Sequence, residues 1–367
     1  MVSFDVTTYR DQRVTLSWNE VTGAIGDSVT VLPLVVAIGV LTELSLTVMF
    51  VWFGVFQIVW GLYYRAPISV EPMKALAALL LAGTVTTGEF LLAGLLLGVV
   101  LLVVGATGTI GRVEQYIGSP VVRGIQFGVA LLLLKTGLQL GSGNLQLAGL
   151  AAVIAGGCIA VGYWNLTAIL VLVVGGGVAV GTGGVPEFTL PTTEGLFLIT
   201  TGSLTVPTVE ATVTQLAMTV GNAALAASVL MSDYFDRDVS PDELSTSMGV
   251  MNLLAVPLGA IPMCHGSGGI AGKYAFGART AGANVVLGVA YVGVALGAAG
   301  FMATYPVSIL GVVLVLIALQ LAKTSLLQTD AYPLVVGIGL LAVLVNLGVA
   351  FVAGVVAFLY FDRQGSV

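Results

Sequence analysis

Residues 254–281 read LAVPLGAIPMCHGSGGIAGKYAFGARTA, and this stretch holds the chain's only histidine, His265, next to Cys264. It starts as an apolar run, breaks at Pro262, passes through a cluster of glycines and continues as a second short apolar piece. Irregular backbone at membrane depth is tolerated only where protein or a water-filled cavity satisfies its polar groups. A proline-broken, glycine-rich turn between apolar runs therefore predicts a site inside a membrane protein.

The composition places the chain in a lipid bilayer. Hydrophobic residues make up 57% of the 367 residues and charged residues only 8%, against about 25% charged residues in soluble proteins. Apolar runs such as 89–106, 165–181 and 331–361 are long enough to cross a hydrocarbon core of about 30 Å. The net charge of −6 argues against a nucleic-acid-binding surface, and the polar N-terminus predicts no signal peptide. We expect an all-α, multi-pass protein of the cell membrane.

Hydrophobic patterning predicts about 14 segments, with boundaries uncertain by roughly two to four residues. Two of them, 68–83 and 263–277, are too short to cross fully, and each starts just after a proline, Pro67 or Pro262. The predicted segments are 20–40, 45–63, 68–83, 88–105, 107–140 with an amphipathic entry, 145–162, 164–181, 208–231, 243–261, 263–277, 280–299, 302–322, 331–345 and 346–361.

The two halves of the chain are related by a constant shift of 195 residues. The shift superposes GD at 26–27 on GN at 221–222, GVFQ at 54–57 on GVMN at 249–252, and APIS at 66–69 on IPMC at 261–264. Seven spans per half invert the second half relative to the first. Inverted repeats with interrupted segments at matching positions are typical of secondary transporters.

This repeat predicts the domain organisation. An N-terminal cytoplasmic segment at 1–19 precedes a first repeat at 20–181, a linker at 182–207, a second repeat at 208–361 and a cytoplasmic tail at 362–367. With both termini cytoplasmic, most Lys and Arg residues lie on the cytoplasmic side, as the positive-inside rule requires. In this arrangement Lys273 and Arg279 are expected to anchor the cytoplasmic end of span ten.

The two short segments, spans 3 and 10, predict an anion site between two half-helices. A half-helix that starts in mid-membrane leaves its first N–H groups unpaired and carries roughly half a positive charge there. Two such ends facing each other bind an anion with few charged side chains. The expected substrate-binding residues are Ser69, Val70 and Glu71 of the first end, Cys264, His265, Gly266, Ser267 and Gly268 of the second, and the matched pair Asp27 and Asn222.

Three of these residues are candidates for ion coupling: Glu71, His265 and Asp27. A buried carboxyl group beside an anion is favoured in its protonated form by desolvation and by like-charge repulsion, so Glu71 is expected to couple transport to protons. The competing interpretation is a plain ion pair between Glu71 and Lys74 along one helix face. His265 either binds the anion or relays a proton, unless it is a structural histidine, and Asp27 either takes a proton, binds a cation or holds a helix end. Gln57 and Asn252 are expected to form structural hydrogen bonds between helices, with a tie of spans two and nine to the back wall of the site as the alternative.

The motifs ISVEPMKALAA at 68–78 and GAIPMCHGSGGIAGKYAFGART at 259–280 resemble those of the molybdate transporter family, which is related to the sulfate permeases. GAIGDSVTVLPLVVAIG at 23–39 is similar to that family's first span. The resemblance implies the seven-plus-seven fold of uracil and sulfate transporters, without a cytoplasmic regulatory domain. In that fold spans 1–4 and 8–11 form a core domain, and spans 5–7 and 12–14 form a gate domain. Family members commonly carry Gln where this chain has Glu71, so the coupling of relatives does not carry over directly.

These observations predict a secondary active transporter of a tetrahedral oxyanion, with molybdate as the first candidate. Transport of sulfate or another anion, an anion channel and, less favoured, a nucleobase transporter stay open as alternatives. An enzyme is not expected, because one histidine and scattered carboxylates supply neither a nucleophile with its base nor a metal cluster. No cofactor or bound metal is expected. The predicted partners are the oxyanion and the bilayer, with protons or sodium as coupling ion and a homodimer left open.

Overall fold

Long apolar runs fold as helices because the bilayer offers no water to the backbone, so each peptide group must find its hydrogen bond within its own segment. The computed structural model describes residues 14–184, 199, 201–297 and 304–362. Much of the predicted N-terminal segment, linker and tail therefore lies outside the described residues. The helices of the first half are α1 (Trp18–Leu41), α2 (Leu46–Tyr64), α3 (Lys74–Leu81), α4 (Thr87–Ala106), α5 (Ile110–Ile117), α6 (Ser119–Ser142), α7 (Leu145–Ala160) and α8 (Thr167–Gly183).

The described residues of the second half also form eight α-helices. Its helices are α9 (Val206–Met218), α10 (Ala227–Phe235), α11 (Pro241–Ala255), α12 (Ser267–Ala275), α13 (Gly282–Ala295), α14 (Val307–Leu327), α15 (Tyr332–Leu344) and α16 (Leu347–Asp362). A π-helical stretch, Thr219–Ala226, joins α9 to α10 without a break. Asn222 lies in this stretch, and π-helical turns inside longer helices occur frequently at functional sites.

Several of these helices are long and apolar enough to cross a membrane. Five such spans are found in the described part of the chain: α2, α4, α6, the continuous helix from Val206 to Phe235, and α14. Helix α1, which contains Pro33, makes a sixth if its two halves count as one span. Together with the shorter apolar helices α7, α8, α13, α15 and α16, they make this chain a multi-pass, mostly helical membrane protein.

The amphipathic entry predicted at 107–140 forms a helix of its own. Gly118 has a φ of 72° and separates α5 from α6. Only glycine adopts this left-handed conformation without strain. The chain therefore turns at Gly118 before α6 enters the membrane.

The two short segments differ from the prediction in where their helices begin. Each was expected to be helical from just after its proline, but Glu71–Pro72 and Met263–Cys264 are extended and form a two-stranded antiparallel pair. Helices α3 and α12 start only afterwards. Pro72 biases Glu71 towards extended backbone, and the hydrogen-bonded pairing of the two segments holds both of them extended.

Helices of the two halves pack against each other in pairs. Helix α4 packs on α11, α2 on α13, and α6 on α14. The crossing of α6 and α14 is close, since a Cβ atom added to Gly137 would lie 2.6 Å from the carbonyl oxygen of Gly311. Small residues permit this backbone approach in membrane bundles. The strand pair is buried and packs against α1 and α11.

Candidate functional site

The strand pair places the starts of α3 and α12 next to each other in the protein interior. Glu71 is opposite Cys264, and Pro72 is opposite Met263. The amide of Met73 donates a further hydrogen bond of 2.9 Å to the carbonyl oxygen of Pro262. These bonds satisfy extended backbone that lipid would leave unpaired. Two helix N-termini from different halves of the chain consequently begin within one buried cluster.

Side-chain oxygen atoms already accept hydrogen bonds from some of the N-terminal amides of both α3 and α12. The side-chain oxygen of Gln215, on α9, accepts from the amides of Ala75 at 2.9 Å and Leu76 at 3.2 Å, and so caps α3. Glu71 Oε1 accepts from the amide of Gly269 at 2.7 Å, in the first turn of α12. A neutral amide therefore caps one helix, whereas a carboxylate sits at the positive end of the other.

Two glycines of α12's first turn make room for the carboxylate. A Cβ atom added to Gly266 would overlap the carboxyl group of Glu71, and one added to Gly269 would overlap Glu71, Ser69 and Asp27. By contrast, a Cβ atom at Gly268 would come no closer than 3.9 Å to Lys74 Nζ. The absence of a Cβ atom at Gly266 and Gly269 thus allows side chains from the first half of the chain to contact the backbone of α12.

Glu71 forms an ion pair with Lys74, whose Nζ lies 2.5 Å from Glu71 Oε2. The Glu71 side chain is fully buried, and that of Lys74 is 10% exposed. The predicted ion pair between Glu71 and Lys74 is therefore present. The pair joins a strand to the start of α3, however, and does not lie along one helix face.

A second ion pair joins Asp27 of α1 to Lys273 of α12, with 3.0 Å between Oδ2 and Nζ. Ser69 Oγ donates to Asp27 Oδ1 at 2.5 Å, and Gln57 Nε2 donates to Asp27 Oδ2 at 2.7 Å. The expectation that Lys273 anchors the cytoplasmic end of a span is wrong, because its side chain is fully buried. The cause is the direction of the side chain: Lys273 is the buried residue of the last turn of α12, beside a half-buried Tyr274 and an exposed Ala275, and its ammonium reaches Asp27 of α1.

Lys273 also contacts three further oxygen atoms. Its Nζ donates to Gln57 Oε1 at 2.8 Å, to the carbonyl oxygen of Ile68 at 2.5 Å and to Asn284 Oδ1 at 3.1 Å. Asn284, on α13, was not predicted as part of the site, and neither was Gln215. Both are amide side chains within apolar runs, and that is the signal by which they could have been found.

His265 uses both ring nitrogens within the protein. Nε2 lies 2.7 Å from Ser247 Oγ, and Nδ1 lies 2.9 Å from the carbonyl oxygen of Ser69. The rings of Trp60 and Tyr64 meet the imidazole edge-on at 6.2 and 6.0 Å. The fully buried histidine thereby connects the two extended segments, and in this arrangement neither nitrogen faces open space.

Gln57 and Asn252, the matched amides of spans two and nine, each bind the extended backbone of their own half. Gln57 Nε2 donates to the carbonyl oxygen of Val70 at 3.2 Å. Asn252 accepts from the amide of Met263 at 2.8 Å and donates to its carbonyl oxygen at 2.7 Å. These bonds run to the extended backbone of the cluster and not between helices, so they agree with the alternative that both amides tie their spans to the back wall of the site.

The accessible edge of the cluster lies at the start of α12. Gly268 is exposed and Ser267 half-buried, whereas Ser69, Glu71 and Cys264 are buried. Ser267 Oγ donates to Asn222 Oδ1 at 2.5 Å, so the π-helical stretch positions this hydroxyl. The structure thus brings the predicted residues into one cluster but leaves the start of α12, beside Lys74, as its open side.

The two ion pairs of the cluster bring four charged side chains together: Asp27, Glu71, Lys74 and Lys273. Ser69 links the two ion pairs, since its hydroxyl lies 2.5 Å from Asp27 Oδ1 and 3.4 Å from Glu71 Oε1. Charges buried at membrane depth are costly and mark functional positions by default. The four formal charges sum to zero, so an entering anion changes the balance of the whole cluster.

The family resemblance is confirmed by comparison with known proteins. A family model described as "Molybdate transporter of MFS superfamily" matches residues 19–133 and 207–321, which together are more than half of the chain. Molybdate transporter 2 of Arabidopsis thaliana is 29% identical over 364 residues, covering 84% of this chain and 78% of the relative. Molybdate transporter 1 of the same plant is 28% identical and covers 83% and 79%.

Solved structures share the fold at low sequence identity. The transmembrane domain of the cyanobacterial bicarbonate transporter BicA superposes with a TM-score of 0.68 at 17% identity, covering 93% of this chain and 98% of that domain. The murine anion transporter Slc26a9, in its inward-facing state, gives a TM-score of 0.67 at 13% identity and covers 98% and 70%. The described helices therefore form a membrane-transporter fold of this type.

Proposed function

Because this chain belongs to the molybdate transporter family, we propose that it is a secondary active transporter of a tetrahedral oxyanion, with molybdate as its preferred substrate. The observation that carries the proposal is the start of α12, where backbone amides, Ser267 and the ammonium of Lys74 meet at the open edge of a buried cluster. A helix N-terminus with an adjacent cation is suited to a compact, multiply charged oxyanion.

In this proposal the substrate replaces Glu71 at the start of α12. Glu71 now accepts the amide of Gly269 and pairs with Lys74, and these are the groups that an oxyanion needs. Substrate entry at the exposed Gly268 requires the carboxyl group to give up at least one of these contacts. Glu71 therefore acts as an internal anion that occupies the site between transport cycles.

The charge balance favours protonation of Glu71 when a dianion binds. The four side chains are neutral together, and the two helix ends add roughly half a positive charge each, or about +1 in total. Protonation of Glu71 raises this sum to about +2, which matches the two negative charges of molybdate. Among the charged and titratable groups, Lys74 contacts Glu71 directly, Asp27 is linked to it through Ser69, and Cys264 is opposite it in the strand pair. We infer that one proton enters Glu71 with each substrate ion.

We further propose the seven-plus-seven inverted repeat, with spans 3 and 10 as half-helices. The core domain consists of α1–α4 and α9–α13, and the gate domain of α5–α8 and α14–α16. Support comes from the constant shift of 195 residues between the halves and from the family model, which matches one stretch in each half. The residues of the cluster lie in these core helices or in the extended segments that precede α3 and α12, so core motion against the gate would carry the substrate across the membrane.

Counterflow in proteoliposomes tests this function. Liposomes loaded with unlabelled molybdate should accumulate labelled molybdate at a saturable rate, which distinguishes a carrier from an anion channel. Competition by tungstate, sulfate and uracil then ranks the alternative substrates. Preference for uracil, or current without saturation or counterflow, would overturn the proposal.

Substitution of Lys74 tests the proposed position of the anion. Lys74→Gln should weaken molybdate binding by at least roughly tenfold, because it removes the cation nearest the proposed anion position. Lys135→Gln, at an exposed position of α6, serves as the control and should leave binding unchanged. Isothermal titration of both purified variants measures the difference.

A further inference from the structure

The ammonium group of Lys273 lies inside a shell of oxygen atoms. Four of them lie within 3.1 Å of Nζ: Asp27 Oδ2, Gln57 Oε1, the carbonyl oxygen of Ile68 and Asn284 Oδ1. Lys273 and the four residues that supply these oxygen atoms are all fully buried. An ammonium group carries only three N–H donors, so the shell offers more acceptors than Lys273 can saturate with one donor each.

The composition of this shell is that of a metal-cation site. A carboxylate, side-chain amide oxygens and a backbone carbonyl are the ligands that hard cations take in proteins. The carbonyl of Ile68 belongs to the extended segment before α3, and unwound backbone carbonyls coordinate coupling ions in transporters with broken helices. The four ligands come from α1, α2, α13 and this extended segment.

The oxygen atoms are held in place independently of Lys273. Asn284 Nδ2 donates to the carbonyl oxygen of Ile68 at 2.7 Å and to Gln57 Oε1 at 2.9 Å. Gln57 Nε2 in turn donates to Asp27 Oδ2 at 2.7 Å. These bonds orient the acceptor atoms inwards, so the shell does not depend on the ammonium for its geometry.

We propose that this shell is a site for a monovalent cation of sodium-like size, and that the tethered ammonium of Lys273 permanently occupies it. A coupling cation that binds there and leaves in each cycle is therefore replaced by a fixed charge. Two consequences follow: the protein transports its substrate without a sodium requirement, and removal of the ammonium creates a site for a free cation. The first consequence rests on the proposed transport function, whereas the second does not.

Thermal unfolding of purified protein tests the site without any transport. The midpoint Tm is measured in sodium, lithium, potassium and choline chloride at one ionic strength. Wild-type protein should give the same Tm in all four salts. Lys273→Ala should have a lower Tm in choline and a saturable rise in Tm with sodium, because a cation that binds only the folded state stabilises it by mass action.

Two further variants define the outcome. The double variant Asp27→Asn with Lys273→Ala loses the carboxylate ligand and should show no specific response to sodium. Lys135→Ala, at an exposed position of α6, should behave as wild type in every salt. A Lys273→Ala protein whose Tm responds to none of the cations, or a wild-type Tm that rises specifically with sodium, would overturn the proposal.

If Lys273→Ala does not fold, wild-type uptake provides the second measurement. Molybdate uptake into proteoliposomes should have the same rate in sodium and in choline media. Uptake that requires sodium contradicts the occupied site while supporting transport. Absence of uptake in both media contradicts the transport function instead, and the wild-type Tm in the four salts then decides on the cation site.

Discussion

Glu71 both accepts a hydrogen bond from the start of α12 and neutralises a lysine, and only a charged side chain can do both. Its carboxylate caps the first turn of α12 through Gly269 and neutralises Lys74. Both contacts are made by a group with no exposed surface. In low-dielectric surroundings an ionised carboxylate and a nearby dianion repel each other strongly. In the proposed mechanism, the negative charge of this one residue therefore opposes the presence of substrate in the cluster.

Glu71→Gln removes this negative charge while it keeps the shape of the side chain. Molybdate should bind at least roughly tenfold more tightly at neutral pH, since the like-charge repulsion is lost. Wild-type uptake should increase as the pH falls, because protonation of Glu71 favours substrate entry. The variant should lose this pH dependence and should exchange molybdate without concentrating it. Counterflow and pH-gradient-driven uptake, measured on both proteins, check the prediction.

An unchanged pH profile in Glu71→Gln would contradict proton coupling through this residue. Glu89→Gln is a suitable control, because that carboxylate forms the capping box with Thr86 at the start of α4 and is not part of the buried cluster. Its uptake should keep the wild-type pH profile.

Gly269 and Gly268 are neighbours with opposite tolerance for a side chain. Gly269→Ala places a methyl group on Asp27, Ser69 and Glu71, and we expect a loss of stability of about 1–3 kcal/mol, as for other overpacked sites. Gly268→Ala meets only the end of Lys74 at 3.9 Å and should fold normally. Thermal unfolding in detergent compares the two, and equal Tm values would contradict the tight contact at Gly269.

At the scale of elements, the short helix α3 depends on a cap from the other half of the chain. Gln215 on α9 accepts two of its first amides. A helix start that is buried without such a partner leaves N–H groups unsatisfied. The cap therefore fixes α9 to the start of α3 as well as completing the helix.

Gln215→Ala should lower stability by about 0.5–2 kcal/mol, the usual range for loss of an N-terminal cap. It should also weaken molybdate binding, because α3 would shift relative to α12 and Lys74 would move with it. Gln139→Ala, at an exposed position of α6, provides the control. Binding and Tm unchanged from wild type would show that the cap is dispensable.

The elements that sequence patterns predicted well are those defined by long apolar runs. The predicted 45–63 and 88–105 agree closely with α2 and α4, because length and hydrophobicity alone specify a membrane helix. The strand pair was not predicted, since two residues from each half carry no periodicity and meet only in the folded chain. Lys273 was placed wrongly for the same reason: its partners are distant in sequence, and its apolar neighbours do not reveal them.

At the scale of the whole molecule, the proposed mechanism requires the core to move against the gate. Val122 of α6 and Gly221 of the π-helical stretch meet at this boundary, where a Cβ atom on Gly221 would lie 3.4 Å from the Cβ of Val122. Disulfides join residues whose Cβ atoms are about 3.5–4.5 Å apart. This boundary can therefore be cross-linked with little distortion of the state that the structure describes.

Val122→Cys with Gly221→Cys, in a protein whose Cys158 and Cys264 are replaced by Ser, should lose molybdate counterflow on oxidation and regain it on reduction. A disulfide within the gate, Gly141→Cys with Ala148→Cys, is the matched control, because the corresponding Cβ atoms are 3.8 Å apart and both lie in α6 and α7. Its oxidation should leave counterflow intact, since both helices move as part of one domain. Counterflow that survives a complete Val122–Gly221 cross-link would contradict relative motion of core and gate at this boundary. Loss of counterflow in both proteins would instead indicate that the gate itself must deform.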